Sequence, residues 1–163
     1  MQVRPLVAAD FDAIAPVIDA WWDGRPVHHL VHRAFFEHFS STSFAAAEAG
    51  ELCAFLLAFR SQSRPHVVYI HLVGVAPGRR GRGYGRLLYT RLFERATALG
   101  CTEVHCITSP GNTGSIAFHR RLGFDLVRTG AEQDGVPVSL DHAGRGQHRV
   151  LFRKSLAPEQ TGA

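Results

Sequence analysis

Apolar and polar positions change their spacing several times along the chain, and each change marks an element. Residues 2–7 read as a short first strand. After Ala8-Ala9-Asp10, the residues Phe11, Ile14, Val17, Ile18 and Trp21 recur at helical spacing, so an amphipathic helix is expected with Asp10 as its N-cap. Asp23-Gly24-Arg25-Pro26 breaks that pattern, and a second helix is expected over residues 28–39. Residues 43–49 and 52–60, joined through Gly50-Glu51, read as a hairpin. Residues 61–65 form a turn, and 67–75 are the longest run of β-formers. A helix is expected over 83–99, with Leu88, Leu92, Phe93 and Ala96 on one face and Gly100 at the C′ position. Residues 103–108 suit a strand. Residues 112–122 suit a helix that Asn112 caps and Gly123 ends. The last two strands are expected at 124–128 and 148–153, separated by a polar loop of about twenty residues, a length that is usually functional or mobile.

The order β-α-α-β-β-β-α-β-α-β-β mixes strands and helices without strict alternation. It predicts an α+β fold: one domain over residues 1–156, with a mixed, mostly antiparallel twisted sheet of about seven strands and helices on both faces. Residues 157–163 are expected to form a flexible tail. A chain of 163 residues with 45% hydrophobic and 20% charged residues can bury one substantial core. Cys53, Cys101 and Cys106 have no metal-ligand spacing and lie in or beside apolar runs, which suits reduced core thiols. No apolar stretch spans a bilayer and the N-terminus lacks a signal-peptide h-region, so a cytoplasmic protein without a membrane partner is expected. The net charge of +4 admits an acidic ligand.

Much of the excess charge is arginine gathered in one segment, Arg79-Arg80-Gly81-Arg82-Gly83-Tyr84-Gly85-Arg86. It lies between the strand at 67–75 and the helix at 83–99. A helix N-terminus leaves backbone N–H groups without partners and carries partial positive charge. Glycines let an anion approach those amides, and arginines add formal charge. The arrangement implies a pyrophosphate ligand. A Walker A loop is excluded because Arg86-Leu87 follows the last glycine instead of Lys-Ser/Thr. A G-x-G-x-x-G dinucleotide fingerprint fails at position 86.

Arg80-x-x-Gly83-x-Gly85 after a strand ending Val73-Gly74-Val75-Ala76-Pro77 resembles motif A of the GNAT superfamily of N-acetyltransferases. The segment from Asn112 through Ala117, Phe118 and His119 to Leu122-Gly123-Phe124 resembles motif B of the same family. The resemblance implies an acetyl-CoA-dependent enzyme that moves an acetyl group to a primary amine by direct transfer in a ternary complex. The cosubstrate would be held by Arg80, Gly81, Arg82, Gly83, Tyr84, Gly85 and Arg86, by the backbone of Val73 and Val75, and by Asn112, which is also a plain helix cap. In the family the central strand splays from its neighbour, and Gly74 is a candidate bulge there. The three cysteines lie outside the position expected for a covalent thioester.

The family's usual glutamate base is missing from the central strand, where His71 is the titratable group near neutral pH. It is either the general base, directly or through water, or a strand histidine bonded to structure. Alternation places Tyr69, His71 and Val73 on one face before any bulge, so Tyr69 would orient His71 or line the acceptor pocket. The usual tyrosine of the motif B helix is replaced by His119, which either protonates the leaving thiolate or packs against a neighbouring carbonyl. Trp22 and Arg25 are candidate acceptor-pocket walls, whereas Trp21 fits the apolar helix face. His28 and His32 stand one helical turn apart, but no acidic residue joins them and the family uses no metal. Residues 131–147 either close over the site or form an ordinary hairpin loop. The acceptor would be a small molecule or a peptide amine, and the resemblance adds homodimers, common in the family, and no nucleic-acid partner. Two other readings use the same residues: a non-catalytic acyl-CoA-binding sensor of this fold, and a basic nucleic-acid-binding module built on the arginine-rich turn.

Overall fold

Strand β1 (Gln2–Pro5) leads into two short helices, α1 (Asp10–Ile14) and α2 (Ile18–Trp21), where the periodicity predicts one. Pro16 is the cause: it has no N–H to donate and its ring obstructs the preceding turn. Asp10 is not the N-cap, because Ala9 occupies that position without a side-chain bond. The Asp10 carboxylate is buried instead. It takes two 2.7 Å hydrogen bonds from the Arg4 guanidinium and one of 2.8 Å from the Val7 amide. The expected second helix is also divided. A 3₁₀ turn (His28–Leu30) precedes α3 (Arg33–His38), because Val31 extends to bury its side chain.

Strands β2 (Phe44–Glu48) and β3 (Glu51–Arg60) form the expected hairpin, and β4 covers Val67–Val75. Helix α4 (Tyr84–Ala98) follows, then β5 (Glu103–Thr108), α5 (Thr113–Arg121) and β6 (Asp125–Leu126). The long polar segment contains a small hairpin, β7 (Ala131–Gln133) and β8 (Val136–Val138), before β9 (Val150–Ser155). This computed structural model describes residues 1–156; the expected tail, residues 157–163, lies outside the described residues.

The main sheet has seven strands in the order β1-β2-β3-β4-β5-β9-β6. All neighbours are antiparallel except β4 and β5. Helices cover both faces. On one, α4 lays Tyr84, Leu88, Leu92 and Ala96, spaced four apart, with Tyr89 against Val68, Val104 and Phe152, and Ile116 of α5 joins them. On the other, Ile14, Ile18 and Phe36 from α1, α2 and α3 pack on Phe55 and Leu57 of β3. A fully buried leucine such as Leu88 or Leu92 contributes roughly 1.5–3 kcal/mol by leaving water.

The Arg4–Asp10 pair ties β1 to α1. Burial pushes the Asp10 carboxyl up, but the hydrogen bonds from Arg4 and the Val7 amide outweigh it and leave its pKa below the ordinary value. A carboxylate with a lowered folded pKa contributes stability that is present above its unfolded pKa, near 4, and is lost as pH falls through the folded pKa. Asp10→Ala should therefore cost about 1–3 kcal/mol at pH 7 in urea unfolding. The gap between wild type and variant should close progressively below pH 4.

Candidate active site

The site begins where two strands part. β4 pairs with β5 only from Val67 to Tyr69, opposite Glu103 to His105. β5 keeps its other partner, β9, along its whole length. From Ile70 onward the β4 edge that faced β5 is therefore open. On the other side of β4, the register with β3 steps between Leu57 and Ala58: Leu57 faces Leu72 and Ala58 faces Ile70. The extra residue is His71, so the bulge is at His71 and not at Gly74.

That step reverses the alternation. Val73 and Val75 pack toward α4, whereas Leu72 packs toward the α1–α3 face. Tyr69, His71 and Val73 consequently do not share a face. The Ala76 amide donates to the Cys53 carbonyl at 2.9 Å, which fixes the phase of the antiparallel ladder. By alternation, the amides of Val73 and Val75 point away from β3, to the open edge.

Gly74 has a different role from the one expected. A Cβ at this position would lie 2.6 Å from Phe55 and 2.8 Å from the Trp22 indole. The missing side chain is what seats Trp22 on the strand.

The open edge runs into the start of α4. Gly83 is the N-cap in the left-handed region, with φ +88°, and Gly81 has φ +75°. These angles, which favour glycine, turn the chain so that consecutive amides face one way. The amides from Gly81 through Tyr84 to Arg86 have no hydrogen-bond partner among the described residues. The Arg80 amide does have one, the Pro77 carbonyl at 3.3 Å. The arginines divide. Arg79 is tied to Glu48 at 2.8 Å and Glu51 at 2.9 Å, anchoring the loop to the β2–β3 hairpin. Arg80 reaches the carbonyl of Trp21 and lies 3.6 Å from Asp23, bridging the loop to the end of α2. Arg82 and Arg86 make no ion pair among the described residues.

These elements enclose a cleft of about 690 Å³. Its walls include the β4 edge, Cys106 to Thr108 of β5, the α4 start with Gly85 and Arg86, Asn112 and Ser115 of α5, and Trp21, Trp22, Asp23 and Arg25 beyond α2. Arg82 and Tyr69 are not among them. Tyr69 is the last β4 residue paired to β5, and its ring packs 5.5 Å from Phe59. No residue of the segment 131–147 lines the cleft; β8 packs against β9, and Val138 is buried in the core. Asn112 caps α5, its side-chain oxygen accepting the Ser115 amide at 3.1 Å. His28, which the spacing placed beside His32, bonds Asp19.

His71 is held from two directions. Its ring stacks on Phe35 at 4.4 Å, and Nε2 lies 2.8 Å from the Leu30 carbonyl. A carbonyl can only accept, so Nε2 carries the proton and Nδ1 keeps its lone pair. Burial pushes the imidazole pKa below its ordinary value; the Leu30 bond partly opposes this and His32 adds to it. His71 is therefore neutral at pH 7 and able to take a proton.

His119 is arranged otherwise. Nδ1 donates to the Ser115 carbonyl at 2.8 Å, and Nε2 accepts from the Tyr89 hydroxyl at 2.8 Å. Its ring stacks on Phe152 at 4.4 Å and is 6% exposed. Burial lowers its pKa. With both nitrogens engaged, the hydrogen bonds favour the packed reading. Cys106, although at the cleft wall, has its thiol pushed far up by burial.

The sequence reading missed Leu30 and Phe35, which fix the His71 ring, and Tyr89, which completes the His119 pair. Tyr89 lies four residues after Gly85 on the buried stripe of α4, a signal present in the spacing. Leu30 and Phe35 lie more than thirty residues from His71, and no local pattern links them.

His119→Phe should leave the Tyr89 hydroxyl and the Ser115 carbonyl without their partner, at about 1–3 kcal/mol in thermal unfolding at pH 8. A buried histidine with a lowered pKa stabilises the fold above its unfolded value near 6.5 and loses that contribution as pH falls through the folded value. The variant's deficit should therefore shrink toward pH 5.

Comparison with known proteins agrees with this geometry. Residues 11–124 match the model of the acetyltransferase (GNAT) family. An L-2,4-diaminobutyric acid acetyltransferase of Nocardia farcinica is 30% identical over 116 residues, 69% of this chain and 60% of that protein. An L-methionine sulfoximine/L-methionine sulfone acetyltransferase of Pseudomonas aeruginosa is 31% identical over 138 residues, 77% of this chain and 80% of that protein. A GNAT superfamily phosphinothricin acetyltransferase from Sinorhizobium meliloti, solved in complex with acetyl-CoA, shares the fold with a TM-score of 0.71 at 22% identity, covering 99% of this chain and 91% of that one. The chain thus spans 60% of the diaminobutyrate relative's length while covering most of the other two. With the family model matching residues 11–124 and the parted strands and α4 turn in place, this chain belongs to the GNAT acetyltransferase family.

Proposed function

We propose that the protein is an acetyl-CoA-dependent N-acetyltransferase that transfers an acetyl group directly to the primary amine of a small amino acid. One observation carries this reading: the unpartnered amides at the start of α4, the open β4 edge and the His71 side chain line one cleft.

The residues present fit acetyl-CoA. Unpartnered amides with two unpaired arginines beside them suit a diphosphate, and an unpaired strand edge suits an amide-bearing arm that can add to a sheet. Bound there, acetyl-CoA would supply the acetyl group as an activated thioester. His71 takes the proton from the attacking amine at Nδ1 while Leu30 holds the ring through Nε2. The C–N bond forms as the C–S bond breaks, so no acyl-enzyme is needed. The amide of Val73 or of Val75 donates to the acetyl oxygen as it gains charge; removing one such donor typically costs about 3–4 kcal/mol. His119 and Tyr89 support the wall behind the thiol without moving a proton.

Support for an amino-acid acceptor comes from two sources. The diaminobutyrate and methionine sulfoximine relatives are named for amino acids. Arg25, which makes no ion pair among the described residues, also stands on the cleft wall and suits the carboxylate of an amino acid.

The test is thiol release from acetyl-CoA with a panel of amino acids including L-2,4-diaminobutyrate and L-methionine sulfoximine. Turnover on at least one is expected. Tight coenzyme A binding without turnover across the panel would favour a sensor. Activity should be lost as pH falls through the His71 pKa, below the ordinary histidine value, because the protonated ring has no lone pair to offer. His71→Gln should lower kcat about 100-fold or more and abolish that limb. Arg86→Ala should weaken coenzyme A binding about tenfold in calorimetry, the loss of one charge-assisted contact.

A further inference from the structure

The Asp19 carboxylate makes three close contacts outside the cleft lining, and the proposed chemistry gives it no role. Its Oδ1 accepts the amides of Val27 at 2.7 Å and His28 at 2.8 Å, and its Oδ2 lies 2.8 Å from Nδ1 of His28. Its own carbonyl accepts the amides of Trp22 and Gly24, at 3.1 and 2.8 Å. The chain between α2 and α3 is thus folded around one residue. Asp23 and Gly24 take positive φ, 56° and 82°, to make that turn.

The 3₁₀ turn built on this hub is short. Leu30 donates to the Val27 carbonyl at 2.9 Å and Val31 to the His28 carbonyl at 3.0 Å. A turn of three residues has little stability of its own, so the bonds at its start decide whether it persists. Its last residue, Leu30, carries the carbonyl that accepts from Nε2 of His71.

We infer that Asp19 is a positioning residue for the transfer reaction: by holding the amides of Val27 and His28 it fixes the Leu30 carbonyl, which in turn holds the His71 ring in the tautomer that leaves the Nδ1 lone pair free. The inference rests on His71 being the proton acceptor. The groups that bear on the His71 ring are the Leu30 carbonyl, the Phe35 ring and, among titratable side chains, His32 at the start of α3. Among them, His32 opposes protonation of the ring. Losing the Leu30 bond removes a contact that favours the protonated ring, so the pKa of His71 falls further.

The experiment compares wild type, Asp19→Ala, Asp19→Asn and His71→Gln. Asp19→Ala should lower kcat by about tenfold to a hundredfold, the usual loss for a misplaced reacting group. The KM for acetyl-CoA should stay within about twofold, since its contacts lie elsewhere. The ascending limb of the pH–rate profile should move to lower pH. ¹⁵N shifts of the His71 ring should change from a fixed Nε2–H tautomer to a mixture. Asp19→Asn keeps an oxygen for the two amides and should recover most of the rate. If Asp19→Ala does not fold, the limb and the tautomer are read on Asp19→Asn, where the lost His28 contact should move both slightly in the same direction. Unchanged kcat and unchanged His71 ¹⁵N shifts would overturn the positioning role. Undiminished kcat in His71→Gln would overturn the base instead, and the ¹⁵N shifts of Asp19→Ala would still report on the positioning.

Discussion

Two neighbouring strands can share hydrogen bonds only while they stay about 5 Å apart, and β4 and β5 leave that distance after Tyr69. The rest of the site follows from that divergence. β4 cannot lose both partners, and β3 holds it through Gly74 and Leu72. One edge of β4 is therefore left polar, unpaired and lined up with the α4 turn. Such an edge usually invites aggregation. Here it lies inside a cleft, between α4 and α5 on one side and the α2 wall on the other.

The bulge at His71 decides which groups face that space. Without an extra residue, His71 and Val73 would point to the same side of the sheet. With it, His71 joins the Phe35 and Leu30 side, while Val73 packs toward α4 and turns its amide to the open edge. One inserted residue thus sets the His71 ring and the unpaired Val73 amide on different sides at adjacent points of one strand. The arginines show a similar division. Arg79 and Arg80 fasten the α4 turn to the β2–β3 hairpin and to α2, while Arg82 and Arg86 keep their charge unshared among the described residues.

Much of this was legible in the sequence. The β-rich run at Val67–Val75, the glycine turn, the α4 stripe and the Asn112 cap are local patterns, and the structure has them at or within a residue or two of the expected places. The N-terminal third was read less well. Pro16 was overlooked inside a convincing apolar period, and Val31 left its helix to reach the core. Alternation offers Tyr69 two roles, orienting His71 or lining the acceptor pocket; its packing on Phe59 and its pairing with β5 depend on segments that no local pattern links to it. The partners of His71 and His119 depend on contacts between distant segments, so the sequence offered both residues with two roles each, and tertiary hydrogen bonds distinguish them.

Gly74 has a consequence for how this scaffold diversifies. The indole of Trp22 rests on the strand because a hydrogen atom stands where other residues carry a methyl group. Adding that methyl would set it 2.6 Å from the Phe55 ring and 2.8 Å from the indole, so both rings would have to move. Position 74 can therefore vary only together with positions 22 and 55, which lie on two other elements of the fold.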